Sequence, residues 1–210
     1  MSLFAILLNG PITATPRLRN QLRVGRTIAA DGGIVHAAAL GLDVELWMGD
    51  FDSTTSELET QYKTVPRERF PAAKDKTDGD LASQAAIARG ASALIFVGGL
   101  GGQSDHAFAH LTLAIRLAAA GTSTMLSTGE EEAYPLLPGI RQLDLPPGSR
   151  LSILALSDLE GLTLSGTRWP LEDASVRLGD TVTLSNVVTG PAAVRLSSGY
   201  GIAIAYPLPS

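Results

Sequence analysis

The chain of 210 residues contains no cysteine. Disulfide bonds, thiolate catalysis and cysteine-based zinc sites are therefore excluded. Basic residues are also in deficit, since 16 lysines and arginines stand against 21 aspartates and glutamates, for a formal net charge of −5. A nucleic-acid-binding protein would show a basic patch, and none is evident, so we expect no nucleic-acid partner.

Long hydrophobic runs are absent as well. No stretch reaches the roughly 18 apolar residues that a membrane-spanning helix needs. The apolar run at 3–8 is short, and no basic segment precedes it as in a secretory signal. We therefore expect a cytoplasmic protein with no membrane partner.

Hydrophobic residues make up 45% of the chain and charged residues 18%, so a sizeable core can form. Up to about residue 130, strand-like apolar runs alternate with helical patterns, which predicts a three-layer α/β domain with a mostly parallel sheet over residues 1–130. Beyond it, short runs separated by turn residues predict an all-β sandwich or barrel domain over residues 131–210. The predicted strands are 3–8, 27–30, 44–48, 93–97 and 122–127 in the first domain, and 150–156, 161–164, 181–185, 192–196 and 202–206 in the second.

Helix signals lie between the strands of the first domain. Residues 34–40 have a helical pattern, and Gly41 is a natural stop for it. Capping boxes at Thr54-x-x-Glu57 and Thr77-x-x-Asp80 predict two further helix starts. A fourth helix follows the glycine loop at 98–102 and has an apolar stripe. The stripe consists of Phe108, Leu111, Ile115 and Ala118.

Aspartates concentrate where the predicted parallel strands end, which is where open α/β sheets bind ligands. They are Asp31, Asp50, Asp52, Asp75, Asp78 and Asp105. Carboxylates gathered at one rim repel each other unless cations lie between them, and magnesium prefers such oxygen ligands. Asp50 and Asp52 carry the clearest signal, because an i, i+2 pair beside Gly49 is an awkward helix cap but a natural metal site. Any other of these aspartates, taken alone, is as well explained by a cap or a turn.

The glycine loop at 98–102 could bind phosphates through its backbone N–H groups, although a tight strand-to-helix turn explains it equally well. His106 and His110 are one helical turn apart, but no glutamate stands between them and no third nitrogen ligand is evident, which disfavours zinc. We interpret His106 as a polar residue facing a ligand and His36 as a surface residue. In the second domain, Trp169 alone is more typical of a core and Ser185-Asn186 of a turn.

Taken in order, these segments resemble the thiamine pyrophosphokinase family from about residue 5 to 206. Single motifs are weak, but the ordered series is specific. The matching segments are Asp31-Gly32-Gly33, Gly49-Asp50-Phe51-Asp52-Ser53, Asp75-Lys76-Thr77-Asp78, Gly101-Gly102-Gln103-Ser104-Asp105-His106, Gly161-Leu162-Thr163, Arg168-Trp169-Pro170-Leu171 and Ser185-Asn186.

The resemblance implies a Mg²⁺-dependent enzyme that transfers the pyrophosphoryl group of ATP to thiamine, acting as a homodimer with shared active sites. It gives catalytic roles to Asp50, Asp52, Asp78 and Asp105, and magnesium contacts to Asp50, Asp52, Asp75 and Asp78. It assigns ATP contacts to Asp31, Gly32, Gly33, Ser53, Thr77, Gly101, Gly102, Gln103 and His106. Trp169 would stack on the thiamine pyrimidine, while Ser185 and Asn186 would hydrogen-bond it.

The sequence departs from the common family pattern at three positions. Gln103 stands where many members have arginine, which removes a positive charge that would face phosphates. His110 stands where asparagine is frequent, and Gly79 stands where a larger residue is frequent. Other functions remain open from the sequence. They are a pyrophosphokinase for another hydroxymethyl acceptor, such as a pterin, a non-catalytic thiamine- or nucleotide-binding regulator and, more distantly, a metal-dependent phosphatase.

Overall fold

The computed structural model describes residues 2–52, 54–70 and 76–208. Within these ranges the first part of the chain alternates strands with helices, as predicted. The strands are β1 (Leu3–Leu7), β2 (Arg26–Ala30), β3 (Leu46–Gly49), β4 (Arg67–Arg69), β5 (Ala93–Val97) and β6 (Ser123–Ser127). The helices are α1 (Pro16–Leu22), α2 (His36–Leu40), α3 (Ser56–Gln61), α4 (Asp78–Ala88) and α5 (Ser104–Ala119). A short 3-10 helix, Asp31–Val35, precedes α2.

These six strands pair in the order β6-β5-β1-β2-β3-β4, and every neighbouring pair is parallel. Parallel strands need helices on both faces, and two separate hydrophobic clusters supply the packing. On one face, Phe4 and Ile6 of β1 pack with apolar residues of α4 and α5. On the other face, Ala5 and Leu7 pack with residues of α1 and α2. The alternation along β1 therefore sets the three layers, which confirms the predicted α/β class.

The second part of the chain forms only antiparallel pairs in the described residues. Its strands are β7 (Glu132–Leu136), β8 (Gly139–Leu143), β9 (Arg150–Ala155), β10 (Leu159–Thr167), β11 (Leu171–Val176), β12 (Asn186–Leu196) and β13 (Gly201–Tyr206). The beginning of β12 pairs with β9, and the rest of it pairs with β8 and β10. Apolar residues of β7, β9 and β13 meet those of β8, β10, β11 and β12 in one core. This arrangement confirms the predicted all-β region.

β7 connects the two parts, because it pairs with β6 on one side and with β13 on the other. The division into domains at residues 130 and 131 therefore stays a prediction. None of the helices in the described ranges is long and apolar enough to cross a membrane.

Three local predictions in the first part are wrong in detail. α3 is capped by Thr55, whose Oγ1 accepts from the Leu58 N–H at 3.4 Å, so the cap lies one residue after the predicted Thr54. The helix predicted at 34–40 begins as a 3-10 turn and becomes α-helical only at His36. The predicted apolar stripe on α5 is only partly buried, since Leu111 and Ile115 pack against the core but Phe108 is 56% exposed.

The strand predicted at 181–185 is wrong, because these residues form a turn. The Leu184 N–H donates to the Thr181 carbonyl at 3.1 Å, which closes the turn. The Thr183 hydroxyl donates to the Ile153 carbonyl at 2.6 Å and fixes the turn on β9. Short side-chain hydrogen bonds to the backbone compete with strand pairing, and here they replace it.

Candidate active site

A cleft of about 600 Å³ opens at the carboxyl ends of the parallel strands. Loops after β1, β2, β3 and β5 and the first turns of α4 and α5 surround it. Its lining in the described residues is Leu8, Asn9, Gly10, Pro11, Ala30, Asp31, Asp50, Lys76, Thr77, Asp78, Gly79, Gly98, Gly99, Gly101, Gly102, Gln103, His106, Ala107 and His110. Eight of the predicted site residues are among these. Asn9, Gly10 and Lys76 also line the cleft and were not predicted as site residues.

The loops after β1 and β5 cross at the base of the cleft. The Gly10 N–H donates to the Gly98 carbonyl at 3.1 Å. A Cβ atom on Gly10 would lie 2.2 Å from that carbonyl oxygen, so any side chain there would force the loops apart. A glycine at position 10 is therefore required for the shape of the cleft.

The segment Asp31-Gly32-Gly33 is explained largely by packing. A Cβ atom on Gly33 would lie 2.2 Å from the Leu7 carbonyl oxygen, and one on Gly32 would lie 2.7 Å from the Asn9 side chain. The Trp47 indole N–H donates to the Asp31 carbonyl at 2.8 Å. These contacts press the 3-10 helix against β1 and direct Asp31 into the cleft, whereas Gly32 and Gly33 are not among the described residues that line it.

Asp50 and Asp52 converge because the residue between them points into the core. Phe51 has a positive φ of 62° and is buried, and its ring meets Trp47 edge-to-face at 5.0 Å. The Asp50 carboxylate accepts from the Asp52 N–H at 3.1 Å, which fixes the turn. One carboxylate oxygen from each of Asp31, Asp50 and Asp52 lies within 4.8 Å of the others, a spacing that suits a shared metal ion.

The opposite wall is formed by the N-termini of α4 and α5. Thr77 caps α4, since its Oγ1 accepts from the Asp80 N–H at 3.3 Å, which places Asp78 in the first turn at the cleft. The Lys76 ammonium donates to the Gln84 amide oxygen at 3.0 Å and forms no ion pair within the described ranges. The N-termini of both helices favour negative charge in the cleft, and Lys76 adds a full positive charge.

Asp105 lies in the first turn of α5, where its carboxylate accepts from the His106 N–H at 2.9 Å, and it is not among the described lining residues. Ser53 and Asp75 lie outside the described residues, so their assignment stays a prediction.

Two half-buried histidines hold the loops of the cleft. A carbonyl oxygen can only accept, so His110 Nδ1 donates to Gly99 at 3.1 Å and His36 Nε2 donates to Gly10 at 2.9 Å. Burial lowers the pKa of both rings, because the charged imidazolium would lose its hydration, and the carbonyl contacts only partly oppose this. His36 is therefore not the surface residue that was predicted. His110 serves a loop contact rather than a zinc site.

Trp169, Ser185 and Asn186 lie together in the antiparallel region, and none of them lines the cleft in the described part of this chain. The Trp169 side chain is 57% exposed, so the interpretation of this residue as core is wrong. Ser185 has a positive φ of 60° immediately before β12 begins at Asn186. The structure thus brings these three residues together, but not into the lining of the cleft of the same chain.

The fold and the site indicate a class of protein that binds a nucleotide polyphosphate together with cations. The loops of the α/β sheet gather carboxylates, glycines, helix N-termini and a lysine around one cleft, which suits such a ligand. Comparison with known families gives the particular assignment. The family described as thiamin pyrophosphokinase, catalytic domain, matches residues 22–126, and the thiamin pyrophosphokinase vitamin B1 binding domain matches residues 141–202. The chain belongs to the thiamin pyrophosphokinase family, which confirms the resemblance.

Individual relatives agree with this assignment. A thiamine pyrophosphokinase of Bacillus subtilis (strain 168) is 28% identical over 163 residues, which is 76% of each chain. A crystal structure of thiamine pyrophosphokinase from Bacillus subtilis has a TM-score of 0.86 and 23% identity, covering 99% of this chain and 100% of its own. Yeast thiamin pyrophosphokinase has a TM-score of 0.78 and 14% identity, covering 98% of this chain and 86% of its own. At such identities the two structures support the fold.

Proposed function

We propose that this protein transfers the pyrophosphoryl group of ATP to the hydroxyl group of thiamine, giving thiamine diphosphate and AMP. The observation that carries the proposal is the group of Asp31, Asp50 and Asp52 beside a polar cleft, in a chain that matches both the catalytic and the vitamin B1 binding domain of the family. Transfer of charged phosphates requires such a place for cations.

Magnesium fits the residues present. Three carboxylate oxygens within 4.8 Å of one another are hard ligands for a small divalent cation, and they would hold it at the edge of the cleft. When bound, the ion neutralises the charge of the phosphate oxygens. Asp31 thereby joins Asp50 and Asp52 in the proposed metal set, and the metal roles of Asp75 and Asp78 stay predictions.

The triphosphate is proposed to lie between the carboxylates and the N-termini of α4 and α5. Lys76 supplies the positively charged side chain there, because position 103 holds an uncharged glutamine where many family members have arginine. Thr77, Gly101, Gly102, Gln103 and His106 are the further proposed ATP contacts, of which all line the cleft. Backbone N–H groups of the glycine loop can donate hydrogen bonds to the phosphate oxygens.

In the proposed reaction, the thiamine hydroxyl oxygen forms a bond to the β-phosphorus of ATP. The bond from that phosphorus to the oxygen bridging to the α-phosphorus breaks, and AMP leaves with this oxygen. A carboxylate takes the proton of the hydroxyl group, and Asp78 is better placed than Asp105 because it lines the cleft. Most of the catalysis comes from alignment and charge neutralisation.

Thiamine is a flat cation, which suits the exposed face of Trp169. Because Trp169 is not part of the cleft of its own chain, we propose a homodimer in which a second copy brings its Trp169 to the cleft. Exposed apolar side chains in the same region support a buried partner surface there. They are Leu178, Val182, Leu184 and Tyr200. A cytoplasmic location belongs to the same proposal.

The proposal is tested by assaying purified protein with ATP, magnesium and either thiamine or a hydroxymethyl pterin. AMP release that depends on thiamine, together with loss of activity on chelation of magnesium, supports it. Faster reaction with the pterin would reassign the acceptor. ATP hydrolysis in the absence of any acceptor would favour a phosphatase instead.

A further inference from the structure

The backbone N–H and the backbone carbonyl of Trp169 are both hydrogen-bonded by the side-chain amide of Asn186. The Trp169 N–H donates to the Asn186 side-chain oxygen at 3.2 Å, and the Asn186 side-chain N–H donates back to the Trp169 carbonyl at 2.6 Å. This reciprocal pair joins residues 17 positions apart in the sequence. It fixes the backbone of an aromatic residue whose own side chain is largely exposed.

The amide of Asn186 is itself fixed. The residue is only 6% exposed, and its side-chain oxygen also accepts from the Val187 N–H at 2.8 Å. Asn186 begins β12 and pairs with Leu151 of β9, so its backbone is part of a sheet. An amide oxygen has two lone pairs, and both are used by backbone N–H groups. Asn186 therefore has no acceptor left for a ligand and retains one side-chain N–H.

Neighbouring contacts fix the same segment. The Arg168 N–H donates to the Val187 carbonyl at 2.8 Å, and the Arg168 guanidinium lies 5.5 Å from the centre of the Trp169 ring. The Thr167 hydroxyl adds a long contact of 3.4 Å to the Trp169 carbonyl. These hydrogen bonds stabilise the loop, and a stacking ligand also binds more tightly to an aromatic residue whose backbone is already in place.

We propose that Asn186 is a positioning residue, which fixes Trp169 as a stacking surface for the aromatic ring of thiamine and does not bind thiamine through its own amide oxygen. This rests on the proposed function for the identity of the ligand, and on geometry for the role of Asn186. It replaces the direct thiamine contact that the resemblance implied for Asn186. Ser185 keeps its predicted contact.

The test is a double-mutant cycle with Asn186→Asp and Trp169→Ala, read as KM for thiamine and for ATP. Asn186→Asp keeps both acceptor bonds but places an oxygen against the Trp169 carbonyl, so the loop is released. We expect KM for thiamine to rise about tenfold in the wild-type background, with little change in kcat or in KM for ATP. In the Trp169→Ala background the same change should have no further effect. An equal rise in both backgrounds would overturn the proposal, because Asn186 would then act on thiamine without Trp169.

A second readout needs no substrate. The chain has two tryptophans, and Trp47 is 0% exposed while Trp169 is 57% exposed, so collisional quenching of fluorescence by acrylamide reports on Trp169. Asn186→Asp should change the quenching and lower the fluorescence anisotropy, whereas the matched change Asn20→Asp on the exposed side of α1 should alter neither. Unchanged fluorescence in Asn186→Asp would refute the positioning role.

The two proposals fail separately in this design. Wild-type protein that makes no thiamine diphosphate contradicts the proposed function, while a fluorescence change in Asn186→Asp still supports the role of Asn186. If Asn186→Asp does not fold, Asn186→Ser replaces it in both measurements. The serine hydroxyl is too short to bridge the N–H and the carbonyl of Trp169, so the same outcomes are expected.

Discussion

Glu132 is the buried charge that joins the two parts of the chain, and its removal gives the most sharply defined prediction for stability. The Arg17 guanidinium of α1 donates to both Glu132 carboxylate oxygens, at 2.7 and 2.9 Å. Gln21 donates to the same carboxylate at 2.7 Å, and the Tyr134 hydroxyl donates to it as well. Burial and the Glu132 charge raise the pKa of Tyr134, so its hydroxyl stays a donor.

The expected magnitude follows from burial. The Glu132 and Arg17 side chains are 1% and 17% exposed, so Glu132→Ala leaves a nearly buried cation that has lost its carboxylate, although the guanidinium still donates to the Asp144 carbonyl. Breaking a buried ion pair from one side costs about 3–5 kcal/mol. For a chain of this size, each kcal/mol lowers the melting temperature by about 2–4 °C. We therefore expect a decrease of about 6–20 °C in Glu132→Ala.

The assay is thermal unfolding followed by circular dichroism at neutral pH, with Glu131→Ala as the matched control. The Glu131 side chain accepts from the Tyr206 hydroxyl at 3.1 Å in an exposed position, so its loss should cost less than about 1 kcal/mol. A melting temperature for Glu132→Ala within about 2 °C of the Glu131→Ala value would refute this account of the junction.

Three further predictions concern the cleft. Asp52→Asn should leave the melting temperature unchanged, because Asp52 is exposed, but should lower kcat about a hundredfold or more. The control Asp43→Asn should keep full activity. Near-normal turnover in Asp52→Asn would contradict the metal role. Lys76→Ala should raise KM for ATP about tenfold, whereas the control Lys63→Ala should leave it unchanged. Equal KM values for ATP in the two variants would show that Lys76 does not contact the phosphates. Because burial lowers the pKa of His110, the unfolded chain binds the proton more readily, so stability falls as the pH drops below 6.5. His110→Gln should reduce this loss of stability, measured by urea unfolding at several pH values. An unchanged dependence of the unfolding free energy on pH would exclude His110 as a cause of the loss.

The parallel sheet was predictable because its central strands Leu3–Leu7 and Ala93–Val97 are continuous apolar runs. The edge strand Arg67–Arg69 was not predicted, since all three of its residues are charged and exposed. α1 was also overlooked, although Thr15 caps it and Pro16 begins it, because only Leu18 and Leu22 give it an apolar side. Exposure at the edge removes the periodic signal on which such predictions depend.

The site was predictable where residues lie at strand ends, as Asp50 and Asp52 do. That Asp31 joins them depends on the contact of Trp47 with the Asp31 carbonyl at 2.8 Å, which no local pattern encodes. The role of Asn186 could not be found either, because its partner is far along the chain. Taken alone, Ser185-Asn186 was more typical of a turn, and only the resemblance implied a ligand contact.

In the proposed reaction, two phosphoryl groups pass together from ATP to thiamine. The most direct measurement uses ATP with heavy oxygen on the γ-phosphoryl group, magnesium and thiamine, with the products identified by mass spectrometry. We expect thiamine diphosphate that carries the label, and unlabelled AMP in equal amount. Thiamine monophosphate with ADP, or labelled inorganic phosphate formed without thiamine, would contradict it.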